Sequence, residues 1–291
     1  MTAERSPLRL LDWEVPDARH AYTRRDTALY ALSLGVGRNP LDRRALNWVD
    51  PWSPCLEALP SMALILGYPG FWLGEKAVEG STGVAPWQVL HAEQSVTLER
   101  PLPPEGEVVG RTRVTALVDK GPERGSLLYS ERQIRLSSGA LLATCRQVHF
   151  LRKAGGCGSA GVPPPQPQRP AMDAGPLQTK VTTLPQQALL YRLNGDANPM
   201  HSDPEIASRA GFPRPILHGM CTAGIAVVAV MQALTDGGAG RVAGFTVRMT
   251  SPVLPGDTLG VDIWPDGSFR ARAVERDVVT LDGGHVQMQE A

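Results

Sequence analysis

Gly219-Met220-Cys221-Thr222-Ala223-Gly224-Ile225-Ala226-Val227-Val228-Ala229-Val230-Met231-Gln232-Ala233-Leu234-Thr235 is the most apolar stretch of the chain and carries no charge. It reads as one buried helix of about 25 Å at 1.5 Å per residue, stopped by Gly237-Gly238. Crossing a bilayer takes roughly 20 apolar residues, and this run is shorter. Strand-like runs follow at 242–252, 258–264, 269–275 and 278–287. One buried helix followed by a run of antiparallel strands is an α+β pattern.

Upstream of the helix lies Tyr191-Arg192-Leu193-Asn194-Gly195-Asp196-Ala197-Asn198-Pro199-Met200-His201-Ser202-Asp203-Pro204. Asn198-Pro199 breaks regular structure, and Asp203 can cap a helix that opens on Pro204. Asp196 and His201 therefore sit on irregular backbone, five residues apart, where a carboxylate and an imidazole can converge on one small molecule. An ordinary imidazole titrates near about 6.5, so His201 can take or relay a proton near neutral pH. Pro215-Ile216-Leu217-His218 then leads into the helix.

The first half echoes the second. Tyr30-Ala31-Leu32 and Asn39-Pro40-Leu41-Asp42 match Tyr191-Arg192-Leu193 and Asn198-Pro199-Met200-His201, with two residues inserted. The Pro-Gly-acid turn at 251–257 has a counterpart at 100–107, and strands are expected at 93–99, 108–119, 127–136 and 141–150. Asp42 stands in the place of His201, and Val36 falls near that of Asp196, so the first copy keeps a scaffold without the acid–base pair. Its central helix would fall at 53–67. Pro60 lies inside that span, at a cost of about 3 kcal/mol in a helix interior, so this helix is expected to be broken or short. Trp48, Trp52, Phe71, Trp72 and Trp87 cluster nearby in sequence and are candidates to line the volume it leaves. The stretch 154–176 is rich in Gly and Pro and reads as a linker without helix or strand. The domains are then 1–153, a degenerate first unit, and 177–291, which carries the loop.

The chain has 29 basic and 29 acidic residues, so no net charge draws it to nucleic acid or an anionic membrane. Cys55, Cys145, Cys157 and Cys221 are scattered, which fits reduced thiols and a cytoplasmic protein better than a disulfide framework or a zinc site. The N-terminus lacks a signal-peptide pattern.

The loop 191–204 and the run 215–221 together resemble the signature of the MaoC-like, or type 2, enoyl-CoA hydratases. The resemblance implies two hot-dog units in one chain, each an antiparallel sheet wrapped round a central helix, the N-terminal helix being broken or shortened. It implies hydration of trans-2-enoyl-CoA to the (3R)-hydroxyacyl-CoA, with Asp196 and His201 acting on one water. Asn198 would orient water or substrate, and Gly219 would offer its backbone N–H to the thioester oxygen. His218 and Tyr191 would border the substrate. So would His91, whose setting His91-Ala92-Glu93-Gln94 resembles a His-Gly-Glu-Gln run of the family. The degenerate half would give room to bulky acyl chains. CoA is then part of the substrate, no cofactor or metal is expected, and a homodimer is.

Other readings of the same residues carry different consequences. Gly156-Cys157-Gly158-Ser159-Ala160-Gly161 fits a dinucleotide fingerprint but runs into Pro163-Pro164-Pro165 instead of a helix. His201, Asp203 and His218 supply the ligand types of a two-His, one-carboxylate iron site, although Asp203 is placed to cap a helix. A dehydratase acting on a carrier protein, or a non-catalytic acyl-CoA-binding subunit of a heteromeric hydratase, would keep the fold and change the role.

Overall fold

The structure, a computed structural model, describes residues 5–165, 175–235 and 239–289. The first half begins with β1 (Ala18–Tyr22) and α1 (Arg24–Ser33), the latter opened by a capping box between Thr23 and Asp26, and continues to α2 (Leu46–Val49) and α3 (Lys76–Thr82). Four long strands follow: β2 (Val89–Leu98), β3 (Gly106–Asp119), β4 (Ser126–Leu136) and β5 (Leu141–Leu151). After β6 (Ala160–Gly161) the second half runs through β7 (Leu177–Thr182), α4 (Gln187–Arg192), α5 (Pro204–Arg209) and α6 (Gly219–Leu234). It ends with β8 (Val242–Met249), β9 (Thr258–Ile263), β10 (Ser268–Ala273) and β11 (Val278–Met288).

All strands belong to one antiparallel sheet, ordered β1-β3-β4-β5-β2-β8-β11-β10-β9-β7, with β6 on β3. The halves meet at β2 and β8, paired from Glu93↔Arg248 to Thr97↔Gly244. Gly244 suits that seam, because a Cβ there would lie 2.3 Å from the Val96 carbonyl oxygen. Across the same seam Arg248 donates to Glu93 at 2.9 Å. The sheet wraps α6, whose residues 220–231 are all buried. One apolar core joins α6 to residues of both halves, Tyr30, Leu59 and Met62 among them.

Among the described residues the first half has no counterpart of α6. Within 53–67 only Pro60–Leu64 is helical, as a single 3-10 turn. Pro60 occupies the first position of that turn, where its missing N–H is no loss. The aromatic expectation needs correction: Phe71 lines the cavity described below, whereas Trp52 and Trp87 are exposed. Trp48 fills the main core, and Trp72 belongs to a second core with Leu10, Val78 and Leu117.

The linker reading also changes over its described part. Ala160 and Gly161 pair with Leu117 and Ala116 of β3. The Asp119 carboxylate accepts N–H bonds from Gly121, Gly156 and Gly158 at 2.7–2.9 Å. One carboxylate satisfying three backbone donors lets a Gly-rich segment dock on the sheet. Residues 166–174, and the stop expected at Gly237-Gly238, lie outside the described residues.

The internal echo has a local geometric basis. The Asn39 side chain accepts the Leu41 N–H at 3.0 Å, and Asn198 accepts the Met200 N–H at 3.1 Å. The same Asn-Pro turn is thus built twice. The rings of Tyr30 and Tyr191, at equivalent places on α1 and α4, approach to 6.0 Å between centroids.

Candidate active site

The loop between α4 and α5 is fixed by its own backbone. Asn198 caps a 3-10 turn at Pro199–His201, and its N–H donates to the Asp196 carboxylate at 3.1 Å. Arg192 holds the same turn by donating to the Asn198 carbonyl at 3.0 Å. Asp203 caps α5 by accepting from Glu205 and Ile206 N–H, so it is turned to the helix and the iron site built on it does not form.

Asp196, His201 and His218 come together instead, each buried, with one polar atom of each within 4.8 Å of the others. They carry ligand types that a metal can use. They are equally the elements of proton transfer. The His201 Nδ1 lies 2.8 Å from the Ile216 carbonyl oxygen. Since that oxygen can only accept, Nδ1 carries the proton and Nε2 keeps a lone pair. Burial pushes the His201 imidazole below its ordinary value, while the Asp196 charge and the Ile216 carbonyl oppose that shift. His201 is therefore neutral and basic at Nε2 near pH 7.

His218 stacks on His201 with ring centroids 3.7 Å apart, and neither of its nitrogens reaches a hydrogen-bond partner. Burial first, then the neighbouring His201, drives it well below the usual imidazole range. It stays uncharged beside the site. Tyr191 packs tilted behind His218, ring centroids 5.0 Å apart, and is fully buried. It does not line the cavity, which corrects its expected contact with substrate: its ring backs the imidazole pair.

Asp196, Asn198, His201, His218 and Gly219 line one cavity of about 360 Å³, inside the range of about 300–1,000 Å³ usual for small-molecule sites. Gly219 opens α6, where the first N–H groups have no acceptor within the helix and the dipole favours negative charge. A Cβ at Gly219 would sit 3.3 Å from Met249 Cγ, so the bare backbone also serves close packing against β8.

The opposite wall comes from the first half. His91 and Phe71, both named from the sequence, line it, and so do Tyr68, Gln147 and His149, which the sequence reading does not reach. His91 faces His149 across the β2–β5 register and stacks on it at 5.2 Å. Burial lowers the pair to about 4 and about 3 respectively. His149 is brought in by the β2–β5 register, which is shifted between His91 and Glu93 and which the expected strands do not fix. Tyr68 follows the 3-10 turn, and no local pattern marks it.

Comparison with known proteins agrees with this architecture. Residues 20–153 match the MFE-2 hydratase 2 N-terminal domain, and residues 168–286 match the MaoC like domain. The chain is 38% identical over 254 residues to the enoyl-CoA hydratase ChsH3 of Mycobacterium tuberculosis, covering 87% of each chain. It is 34% identical to the peroxisomal enoyl-CoA hydratase 2 of Arabidopsis thaliana, covering 94% of this chain and 93% of that one. Among solved structures, a MaoC-like dehydratase from Phytophthora capsici superposes with a TM-score of 0.82 at 31% identity, covering 97% and 98% of the two chains. The chain has the double hot-dog architecture. It belongs to the MaoC-like hydratase 2 family and is a hydro-lyase.

Proposed function

We propose that this chain reversibly hydrates trans-2-enoyl-CoA to (3R)-3-hydroxyacyl-CoA, with Asp196 and His201 acting on one water. The observation that carries the reading is the free Nε2 of a neutral His201 beside the Asp196 carboxylate, at one wall of a cavity. In the hydration direction His201 takes a proton from the water through Nε2, and the oxygen bonds to C3. Asp196 accepts the other water proton as a hydrogen bond and stabilises the imidazolium that forms. Negative charge moves to the thioester oxygen, where the Gly219 N–H at the start of α6 receives it. Losing such a donor typically costs about 3–4 kcal/mol of transition-state stabilisation. The proton held by His201 then goes to C2 on the face that received the oxygen, so addition is syn.

His91 and the rest of the first-half wall hold the substrate in this reading. No metal takes part: the carboxylate and two imidazoles work as proton carriers and packing groups. The four free cysteines support a reducing compartment such as the cytoplasm, and among the described residues no helix is long and apolar enough to cross a membrane. A homodimer is proposed from the family resemblance alone. The test follows absorbance loss of the conjugated thioester with crotonyl-CoA and trans-2-decenoyl-CoA, then the chirality of the product. A (3R)-hydroxy product, formed at an unchanged rate after chelation, is expected. A (3S) product, or activity lost to chelators and restored by one metal, would replace this mechanism.

A further inference from the structure

The half without an acid–base pair also contributes a tyrosine to the cavity wall. The 3-10 turn Pro60–Leu64 ends early, and the chain turns at Gly67, whose φ is +58°. A Cβ there would lie 2.6 Å from the Gly110 backbone nitrogen, so only glycine lets the chain pass β3 so closely. The Gly67 N–H donates to His20 at 3.3 Å. The next residue, Tyr68, lines the same cavity as Asp196 and His201.

Its ring is held from below by a charge. The Arg132 guanidinium lies 5.2 Å from the Tyr68 ring centroid. Arg132 is only 2% exposed; Nη2 donates to the Ala63 and Leu64 carbonyls at 3.1 and 2.7 Å, whereas Nε and Nη1 have no partner. A desolvated cation with donors unsatisfied is drawn to the negative face of an aromatic ring, which fixes the ring's plane. The Tyr68 hydroxyl itself has no hydrogen-bond partner among the described residues. Burial, then the negative charge of Asp196, pushes the phenol well above its ordinary range, with Arg132 opposing. It is a neutral donor at every pH at which the site can work, and it lies within electrostatic reach of Asp196.

A water that gives one proton to His201 Nε2 and points the other at Asp196 keeps two lone pairs. One attacks C3. The other is free to accept a donor, and Asp196 and the basic Nε2 supply none. We propose that Tyr68 is this donor, a third hydrogen-bonding group on the reacting water contributed by the degenerate half. The assignment rests on the hydration reading above. With the phenol in place, the remaining lone pair is aimed at carbon; in the dehydration direction the same bond steadies the hydroxyl as it takes the proton from His201 and leaves as water.

The experiment is Tyr68→Phe in the full chain, assayed beside the wild type with trans-2-decenoyl-CoA, with Tm measured on both. The substitution removes the hydroxyl and keeps the ring over Arg132. kcat should fall about tenfold to hundredfold, the worth of one hydrogen bond to a group gaining charge, while KM stays within about twofold and Tm is unchanged. A structural role for Tyr68 would instead lower Tm or raise KM at constant kcat, and either result overturns the assignment. So does an unchanged kcat in a chain whose wild type hydrates the substrate. A folded wild type that hydrates no enoyl thioester removes the hydration reading, and this assignment with it.

Discussion

The two halves share a sheet pattern and an Asn-Pro turn, yet they differ in the element that each sheet encloses. In the second half α6 is continuous, and its N-terminus points Gly219 at the cavity beside Asp196 and His201. In the first half the corresponding span yields a single 3-10 turn, and Asp42 stands where His201 stands in the other copy. Each half nevertheless places a stacked imidazole pair on the cavity: His201 on His218 at 3.7 Å, and His91 on His149 at 5.2 Å. The first pair has a carboxylate within 4.8 Å and the second has none among the described residues. Similar rings on similar scaffolds therefore differ in their surroundings by one neighbouring charge and one intact helix end.

The largest effect that would break this comparison comes from swapping damage between copies. Asp196→Ala and His201→Ala should each lower kcat by about 100- to 10,000-fold, as expected for a general acid–base group, with Tm nearly unchanged. Asp42→Ala, in the equivalent place, should leave kcat within about twofold. An activity loss at Asp42 comparable to that at His201 would mean that the first copy still takes part in proton transfer.

A smaller effect separates the imidazole pairs by pH. His91 is lowered from 6.5 to about 4, and His149 to about 3. Below about 6.5 the unfolded chain takes up protons that the folded chain refuses, so stability is present above that pH and is lost as pH falls toward 3. His91 alone accounts for roughly 3 kcal/mol of this loss. His201 is lowered too, so kcat should persist on the acid side below the ordinary imidazole range. Tm and kcat measured from pH 8 to 4 test both statements. A Tm that stays flat over that interval would show that the first-half pair is not held neutral by burial.

The smallest expected effect concerns the broken helix. Pro60→Ala should lower stability by about 0.4–1 kcal/mol through the unfolded chain, without added helicity by circular dichroism. Pro60 sits at the first position of its turn, and the turn at Gly67 still ends the segment. A gain of helix would show that Pro60 alone keeps the two halves different.

What the sequence discloses follows the range of the forces involved. Helix α6 stops within a residue of its expected end, and the eight long strands lie where apolar alternation puts them, because burial of one face is written locally. The strands it does not disclose, β1 and β7, are the two edges of the sheet and β6 is a two-residue addition to β3. Edge strands bury little, and Ala18–Tyr22 and Leu177–Thr182 carry several polar residues in place of a clear apolar face. In the site, Asp196, Asn198 and His201 are legible because one turn sets them. Tyr68 and His149 are not, since a Gly67–Gly110 contact and a β2–β5 register bring them in from far along the chain. Tyr191 illustrates the opposite error: it belongs to the motif but supports His218 from behind.

The seam between β2 and β8 has a consequence for how the site persists in dilute solution. Two walls that must face each other, one with His91 and Tyr68 and one with His201 and Gly219, are parts of a single polypeptide joined by five residue pairs. Had they belonged to separate chains, the fraction of complete cavities would follow protein concentration. Tethering makes their encounter intramolecular, with an effective concentration set by the connecting chain, so the fraction of chains holding a whole cavity does not change with dilution.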